Sequence, residues 1–128
     1  VVHKKDITYI LGDVTMEKAN YEFLDELNGR KVVILGNHDM KQHILKMLEH
    51  VDQVAGMVKY KARPERCTIF LTHCPIHSSE LISRVKYNIH GHLHEISVKR
   101  LGLFKDKRYI CVSCEQVDYT PRTLQELL

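Results

Sequence analysis

Four short apolar runs in this chain each end in a turn that carries side chains able to bind a metal ion. The runs cover residues 7–11, 32–35, 68–71 and 87–89, and their β-branched and aromatic residues are typical of strands. In open α/β sheets, the loops that follow neighbouring strands converge outside the carboxyl ends of those strands. We therefore expect the polar segments after the runs to meet at one edge of a sheet. These segments are Gly12-Asp13, Gly36-Asn37-His38-Asp39, His73-Cys74-Pro75 and Gly91-His92-Leu93-His94.

Periodicity elsewhere in the chain predicts the remaining elements. Apolar residues at helical spacing predict helices over residues 16–28, with Gly29 as the stop, and over residues 40–50. Residues 54–61 and 67–71 are predicted to form strands, and residues 96–98 and 108–112 a late antiparallel pair around residues 105–107. Early strand and helix alternation followed by mostly strands indicates a mixed, layered α/β fold. The length of 128 residues favours a single domain over residues 1–128.

Composition narrows the class of protein. A hydrophobic content of 44% and a charged content of 27% are ordinary for a soluble globular protein. The net charge of +3 does not by itself favour nucleic acid, and no apolar run approaches the roughly 20 residues that cross a bilayer. Cys111 and Cys114 have the spacing of a zinc or redox pair, but a second such pair is missing. Without a secretory signal, free reduced thiols and a cytoplasmic location are the expectation.

The four polar segments resemble, in order and content, the signature of the calcineurin-like metallophosphoesterase superfamily. That signature runs Gly-Asp, Gly-Asn-His-Asp/Glu, a lone His and Gly-His-x-His, and here it spans Gly12 to His94. The nearest resemblance is to the small single-domain phosphoesterases of bacteria and phages. It implies an α/β/β/α sandwich of two mixed β-sheets flanked by helices.

One block of the family signature, an early Asp-x-His, has no counterpart before Gly12, where the chain opens Val1-Val2-His3-Lys4-Lys5-Asp6. We interpret the chain as N-terminally truncated, lacking the first strand and the two ligands it carries. The alternative is a natural variant with a reduced metal site.

The resemblance also implies which residues hold metal. Asp13 would bridge two divalent ions, while Asn37, His73 and His92 would complete the shell of one of them. His94 would bind the other ion, whose site would be weak or empty without the missing block. Mixed oxygen and nitrogen ligands suit Mn²⁺, which we favour, and also iron, nickel or zinc. Each residue taken alone has an ordinary explanation as a turn, cap or surface residue, and only the shared order of all four segments favours a metal site.

His38 and Asp39 are the predicted catalytic residues. By resemblance, His38 would protonate the leaving oxygen, and Asp39 would hydrogen-bond to its ring and orient it. The predicted reaction is hydrolysis of phosphodiesters or small phosphate monoesters by a hydroxide activated between two metals. Two alternatives stay open: a non-catalytic metal-binding or interaction module, and a metal-dependent nuclease. The nuclease would need a basic groove, which the sequence does not clearly show.

Overall fold

The computed structural model describes residues 2–16, 20–39, 41–63 and 66–128. Two α-helices of four residues lie in this part of the chain, α1 (Ile44–Met47) and α2 (Leu124–Leu127). Short 3-10 helices cover Glu22–Glu26, Lys41–His43, Ser78–Glu80 and Cys114–Gln116. The strands are β1 (Ile7–Ile10), β2 (Arg30–Ile34), β3 (Gln53–Ala55), β4 (Val58–Ala62), β5 (Cys67–Thr72), β6 (Val85–His90), β7 (Lys99–Arg100), β8 (Phe104–Lys105) and β9 (Tyr109–Cys111).

The strands form a parallel sheet, a mixed sheet and a two-stranded sheet of β7 and β8. The parallel sheet has the order β1-β2-β3, with Tyr9 opposite Val32 and Val33 opposite Val54. The mixed sheet has the order β4-β5-β6-β9, in which β4 is antiparallel to β5 while β5, β6 and β9 run parallel. The fold is thus mixed α/β. Parallel pairing places the carboxyl ends of β1 and β2, and those of β5 and β6, at a common edge of their respective sheets.

Alternating side chains of β2 link the sheets to each other and to the helices. Val32 and Ile34 share a buried cluster with Ile69, Leu71 and Ile89 of the mixed sheet. Val33 points to the other face of the parallel sheet, because successive strand residues face opposite sides. There it packs with four buried side chains from the helical segments, Tyr21, Leu24, Met47 and Val51.

The helices are much shorter than the periodicity predicts. Within the predicted stretch 16–28, the described helix is a single 3-10 segment in which Leu24 is buried and Phe23 is exposed, and Leu27 just after it is also exposed. Within 40–50, Met47 is buried but Leu45 is 79% exposed. Residues 17–19 and 40, including Ala19 and Met40, lie outside the described residues. Helical spacing alone does not stabilise a helix, because most helical stability in proteins comes from packing of a whole apolar face.

Two strand predictions are also corrected. The predicted strand over residues 54–61 is divided at Gly56 and Met57 between β3 of the parallel sheet and β4 of the mixed sheet. The predicted late antiparallel pair does not form, because β9 runs parallel to β6, with Ile110 opposite Ile89. The late hairpin is β7–β8 instead, and it turns at Leu101 and Gly102, which both have positive φ.

Two smaller expectations can be compared with the same structure. Cys67, Cys74, Cys111 and Cys114 are all free thiols, in agreement with the expectation of reduced cysteines. Across residues 2–16, 20–39, 41–63 and 66–128, no helix is long and apolar enough to pass through a bilayer.

Candidate metal centre

His73 lies directly after β5 and is only 5% exposed. Its Nδ1 is 2.7 Å from the carbonyl oxygen of Leu11, at the end of β1. A carbonyl can only accept a hydrogen bond, so Nδ1 carries the proton and donates it. In the neutral ring, Nε2 is then an unprotonated nitrogen whose lone pair points away from Leu11. This is the tautomer that a metal-ligating imidazole requires when its other nitrogen donates to backbone.

Three further atoms with lone pairs that can bind a metal ion lie around Nε2 of His73. Asn37 Oδ1 lies at 2.9 Å, His92 Nδ1 at 3.1 Å and Asp13 Oδ2 at 3.2 Å. We call Asp13, Asn37, His73 and His92 the inner set. Oxygen and nitrogen lone pairs that converge in this way repel one another unless a cation lies among them. A proton on Nε2 would be donated to one of the three neighbours, whereas a metal ion at this point would attract the lone pairs of all of them.

The spacing within the inner set fits a coordination shell. Two ligands that are each about 2.1 Å from a metal and 90° apart lie about 3.0 Å from each other. The distances around His73 Nε2, 2.9 to 3.2 Å, match that separation. Each of the three atoms thus lies at the separation from His73 Nε2 that a second ligand of the same ion would have.

Unusual backbone conformations bring the inner set together. Asp13 has φ 52° and His92 has φ 66°, in the left-handed region that costs a non-glycine residue free energy. Gly12 has φ 85°, and a Cβ there would overlap Nδ1 of His73. A Cβ at Gly36 would overlap the carboxylate of Asp13. The two motif glycines thus let neighbouring strand ends approach closely enough for the ligands to meet.

Asp39 is buried and holds the loops rather than the His38 ring. Its Oδ2 accepts hydrogen bonds from the backbone N–H of Asp13 at 2.9 Å and of Gly36 at 2.8 Å, and Oδ1 accepts one from Val14 at 3.0 Å. The predicted hydrogen bond between Asp39 and the His38 ring is absent, although both residues are described. The correction has a simple cause: the turns after β1 and β2 leave three backbone donors unpaired, and one carboxylate satisfies all of them. Asp39 is a positioning residue.

His38 is exposed at the same rim. Its backbone N–H donates to Asp13 Oδ1 at 2.9 Å, which leaves Oδ2 of that carboxylate directed at the inner set. The His38 ring has no hydrogen-bond partner in the part of the chain that the structure describes. It is therefore free to reach a ligand in solvent.

His94 is not among the converging atoms. Its side chain is 74% exposed, and Nδ1 lies 2.8 Å from Glu115 Oε1. The hydrogen bond and charge of Glu115 raise the pKa of His94, and the carboxylate of Asp13 adds to the rise. The structure thus separates His94, which faces Glu115, from the inner set.

Two residues that the sequence did not single out belong to the site. The donor atoms of His73, Cys74 and His92 all lie within 4.8 Å of one another. Asn88, fully buried within β6, donates to Phe70 O at 3.1 Å and to Thr72 Oγ1 at 2.8 Å, and accepts from Ile76 N at 3.0 Å. These bonds fix both ends of the loop that carries His73 and Cys74. In the sequence, the sign that Asn88 has such a role was its polar amide side chain within the apolar run that forms β6.

The other histidines have supporting or unrelated places. His90 is completely buried, and its Nδ1 lies 2.8 Å from the Gly91 carbonyl, just before His92. Burial raises the pKa of the nearby Cys111 thiol, but the neighbouring His90 imidazole and Ser113 hydroxyl outweigh it and hold that pKa at about 7. His77 pairs with Ser79 at 2.9 Å and lies outside the inner set.

The chain is similar to proteins whose own functions are not assigned. The chain is 33% identical over 129 aligned positions to the uncharacterized protein MJ1445 of Methanocaldococcus jannaschii, an alignment that covers 97% of this chain and 65% of the relative. The chain therefore spans slightly less than two thirds of that protein's length. It is also similar to the crystal structure of AQ665, a protein of unknown function from Aquifex aeolicus, with a TM-score of 0.70 and 25% identity over 99% of this chain and 77% of that one. No family model matches the chain.

Proposed function

We propose that this chain is a metal-dependent phosphoesterase domain that hydrolyses phosphodiesters or small phosphate monoesters. The observation that carries the proposal is the convergence of Asp13 Oδ2, Asn37 Oδ1 and His92 Nδ1 on Nε2 of His73. The order of the motifs that supply these atoms, which resembles the calcineurin-like signature, supports the same reading. Divalent ions bound here would supply an acidified water and neutralise the phosphoryl oxygens.

The chain's own residues would divide the remaining work. The inner set would hold one ion, and Asp13 with His94 would contribute to a second. The exposed His38 ring would protonate the leaving oxygen, a role for which imidazole is suited near neutral pH. Asp39 and Asn88 would keep the ligand loops in place through their backbone hydrogen bonds.

The layered sandwich of the metallophosphoesterases is part of this proposal. The cluster shared by Val32, Ile34, Ile69 and Ile89 supports two sheets packed face to face. On its outer side β1 has no partner strand among the described strands, and a cavity of about 450 Å³ adjoins it. The apolar side chains lining that cavity include Tyr9, Leu71 and Leu127. The resemblance implies a further strand with an Asp-x-His block, and the uncovered edge of β1 offers the backbone groups with which such a strand would pair.

The test measures metal and turnover together. We expect the protein to bind Mn²⁺ and to hydrolyse bis(p-nitrophenyl) phosphate or p-nitrophenyl phosphate only when the metal is present. His73→Ala should weaken both metal binding and hydrolysis. Each loss should exceed the roughly 10–100-fold loss that follows when a residue outside the ligand shell is removed. The matched control is His77→Ala, because His77 follows the same strand but faces Ser79. Equal activity in His73→Ala and His77→Ala would exclude the proposal.

A non-catalytic metal-binding module is the second candidate, and one observation favours it. His94 faces Glu115 rather than the inner set, so the described residues gather one complete ligand group and only part of a second. Tight binding of one ion per chain without hydrolysis of either substrate, in this chain and in a version extended at the amino end, would favour the module.

The described residues do not favour the nuclease alternative. Five cations line a cavity of about 370 Å³: Lys61, Arg63, Arg66, Arg84 and Lys86. This cavity lies at the amino ends of β5 and β6, whereas His73 and His92 of the inner set follow their carboxyl ends. A strand of six residues spans about 20 Å, so this basic cavity does not border the candidate metal centre.

A further inference from the structure

We infer that the Cys74 thiolate is an additional ligand of this centre, which would make it a mixed sulfur, nitrogen and oxygen site that selects a thiophilic divalent ion, zinc first, over manganese. The inference rests on the proposed metal centre and specifies which ion it takes. The resemblance by itself assigned no role to Cys74.

Geometry is the first support. The sulfur of Cys74 and one ring nitrogen each of His73 and His92 form a group in which every pair of donor atoms is within 4.8 Å. Ligand atoms at about 2.0–2.3 Å from one zinc ion are separated by at most about twice that length. The three atoms can therefore share one ion with little movement of the chain.

The fold also holds the Cys74 backbone in place. Thr72 Oγ1 donates to the Cys74 carbonyl at 2.6 Å, and Thr72 is itself held by Asn88 Nδ2 at 2.8 Å. His73 fills the buried side of the site, while Cys74 is exposed to solvent. The thiol is thus accessible from solvent beside the buried His73, and an ion held there would meet both side chains.

Charge is the second support. The inner set contains a single formal anion, Asp13, together with a neutral amide and two imidazoles. A divalent ion held by these groups alone would retain one positive charge. When Cys74 binds, the sulfur–metal bond forms, the thiol proton leaves to solvent, and the charge of the ion is balanced. Thiolate ligands favour zinc and other soft or borderline ions, whereas manganese prefers oxygen.

Cobalt is the probe that tests this ligand without measuring activity. Co²⁺ would be titrated into the full chain, into Cys74→Ser and into Cys114→Ser. Cys114 is the matched control because it is also an exposed free thiol but is outside the group of three donor atoms. We expect the wild-type chain and Cys114→Ser to show a sulfur-to-cobalt charge-transfer band in the near ultraviolet. In Cys74→Ser that band should vanish while the visible cobalt bands remain.

Zinc and manganese affinities give a second measurement. Cys74→Ser should weaken zinc binding by at least about tenfold, the lower end of the loss expected when a partner of a metal site is removed, and should leave manganese binding nearly unchanged. A charge-transfer band that survives in Cys74→Ser, or that is lost only in Cys111→Ser, would overturn the inference while leaving the metal centre intact. If the wild-type chain shows visible cobalt bands without the charge-transfer band, the inference fails in the same way. If no cobalt bands appear at all, the metal centre and the proposed function fail together.

Discussion

The inner set and the two outer histidines, His38 and His94, come from the same short motifs yet differ sharply in how the fold holds them. Around His73 Nε2, three donor atoms from three other loops lie within 3.2 Å. His38 and His94 are exposed, and His94 pairs with Glu115 on a later segment. Sites held by supporting hydrogen bonds keep their geometry before a ligand arrives. The comparison indicates that the fold preorganises the inner set, the proposed ligand group, and leaves the two outer histidines outside that arrangement.

The largest expected effect is on the turnover of the His38→Ala variant, whose metal content should nevertheless stay unchanged. His38→Ala should lower turnover on substrates with poor leaving groups by about 10²–10⁴-fold, the usual contribution of general acid catalysis. A nitrophenolate leaves without much protonation, so the same variant should lose far less activity on bis(p-nitrophenyl) phosphate. Metal content, measured by mass spectrometry, should stay unchanged because the His38 ring is outside the inner set. Parallel loss of metal and of activity on both substrates would make His38 a ligand.

The positioning role of Asp39 predicts the next largest effect. Asp39→Asn keeps the size of the side chain but replaces one acceptor oxygen with an NH₂ group that faces backbone donors of the loops after β1 and β2. We expect roughly 10–100-fold weaker metal binding and a loss of about 1–3 kcal/mol in the free energy of unfolding. Calorimetry and chemical denaturation measure the two quantities.

Asp52→Asn is the control for Asp39. Asp52 also accepts a hydrogen bond from the backbone of the parallel sheet, at Lys31 N, but it is exposed and belongs to neither group of site residues. The Asp52→Asn variant should leave metal binding unchanged. If Asp39→Asn binds metal as tightly as Asp52→Asn, the loops do not depend on this carboxylate.

Asn88 tests whether the inner set depends on support from the mixed sheet. Asn88→Leu nearly preserves volume but leaves Ile76 N and Phe70 O without their partner. Unpaired buried groups cost about 1–3 kcal/mol each, so unfolding should require correspondingly less denaturant, and metal affinity should fall as the His73 loop loosens. Asn28→Leu, at an exposed position, is the control. Unchanged metal affinity in a destabilised Asn88→Leu would limit Asn88 to a folding role.

The smallest effect is expected at Glu115. Its hydrogen bond raises the pKa of His94 because a carboxylate favours the charged imidazolium. Glu115→Gln should therefore lower the pKa of His94 toward the ordinary value of about 6.5, observable by NMR titration of the metal-free protein. Metal binding by the inner set should not change. Glu95→Gln removes a nearby charge without this contact, and an equal shift in both variants would rule out the specific pair.

The local sequence pattern predicted which segments form strands. It did not predict which strands pair when they are far apart in the sequence. The strands that precede the motifs form as β1, β2, β5 and β6, because alternating β-branched side chains favour a half-buried strand wherever it is placed. The parallel pairing of β9 with β6 could not be predicted, since a strand's partner depends on which apolar face is still uncovered. The helices were overestimated for the same reason: their apolar spacing was present, but the core had room for few of the side chains.

For the site, the sequence by itself determined which chemical groups follow each strand and that a glycine begins three of the four segments. Those features are local, and they were enough to anticipate that Asp13, Asn37, His73 and His92 would lie together. Only the tertiary structure decided that Asp39 holds backbone donors, that His94 faces Glu115 and that Cys74 approaches His92. Each of these contacts depends on distances between loops on different strands, differences of an ångström or two that residue order does not encode locally. A carboxylate accepts hydrogen bonds from the unpaired donors that the fold places beside it, whether or not those donors are close to it in the sequence.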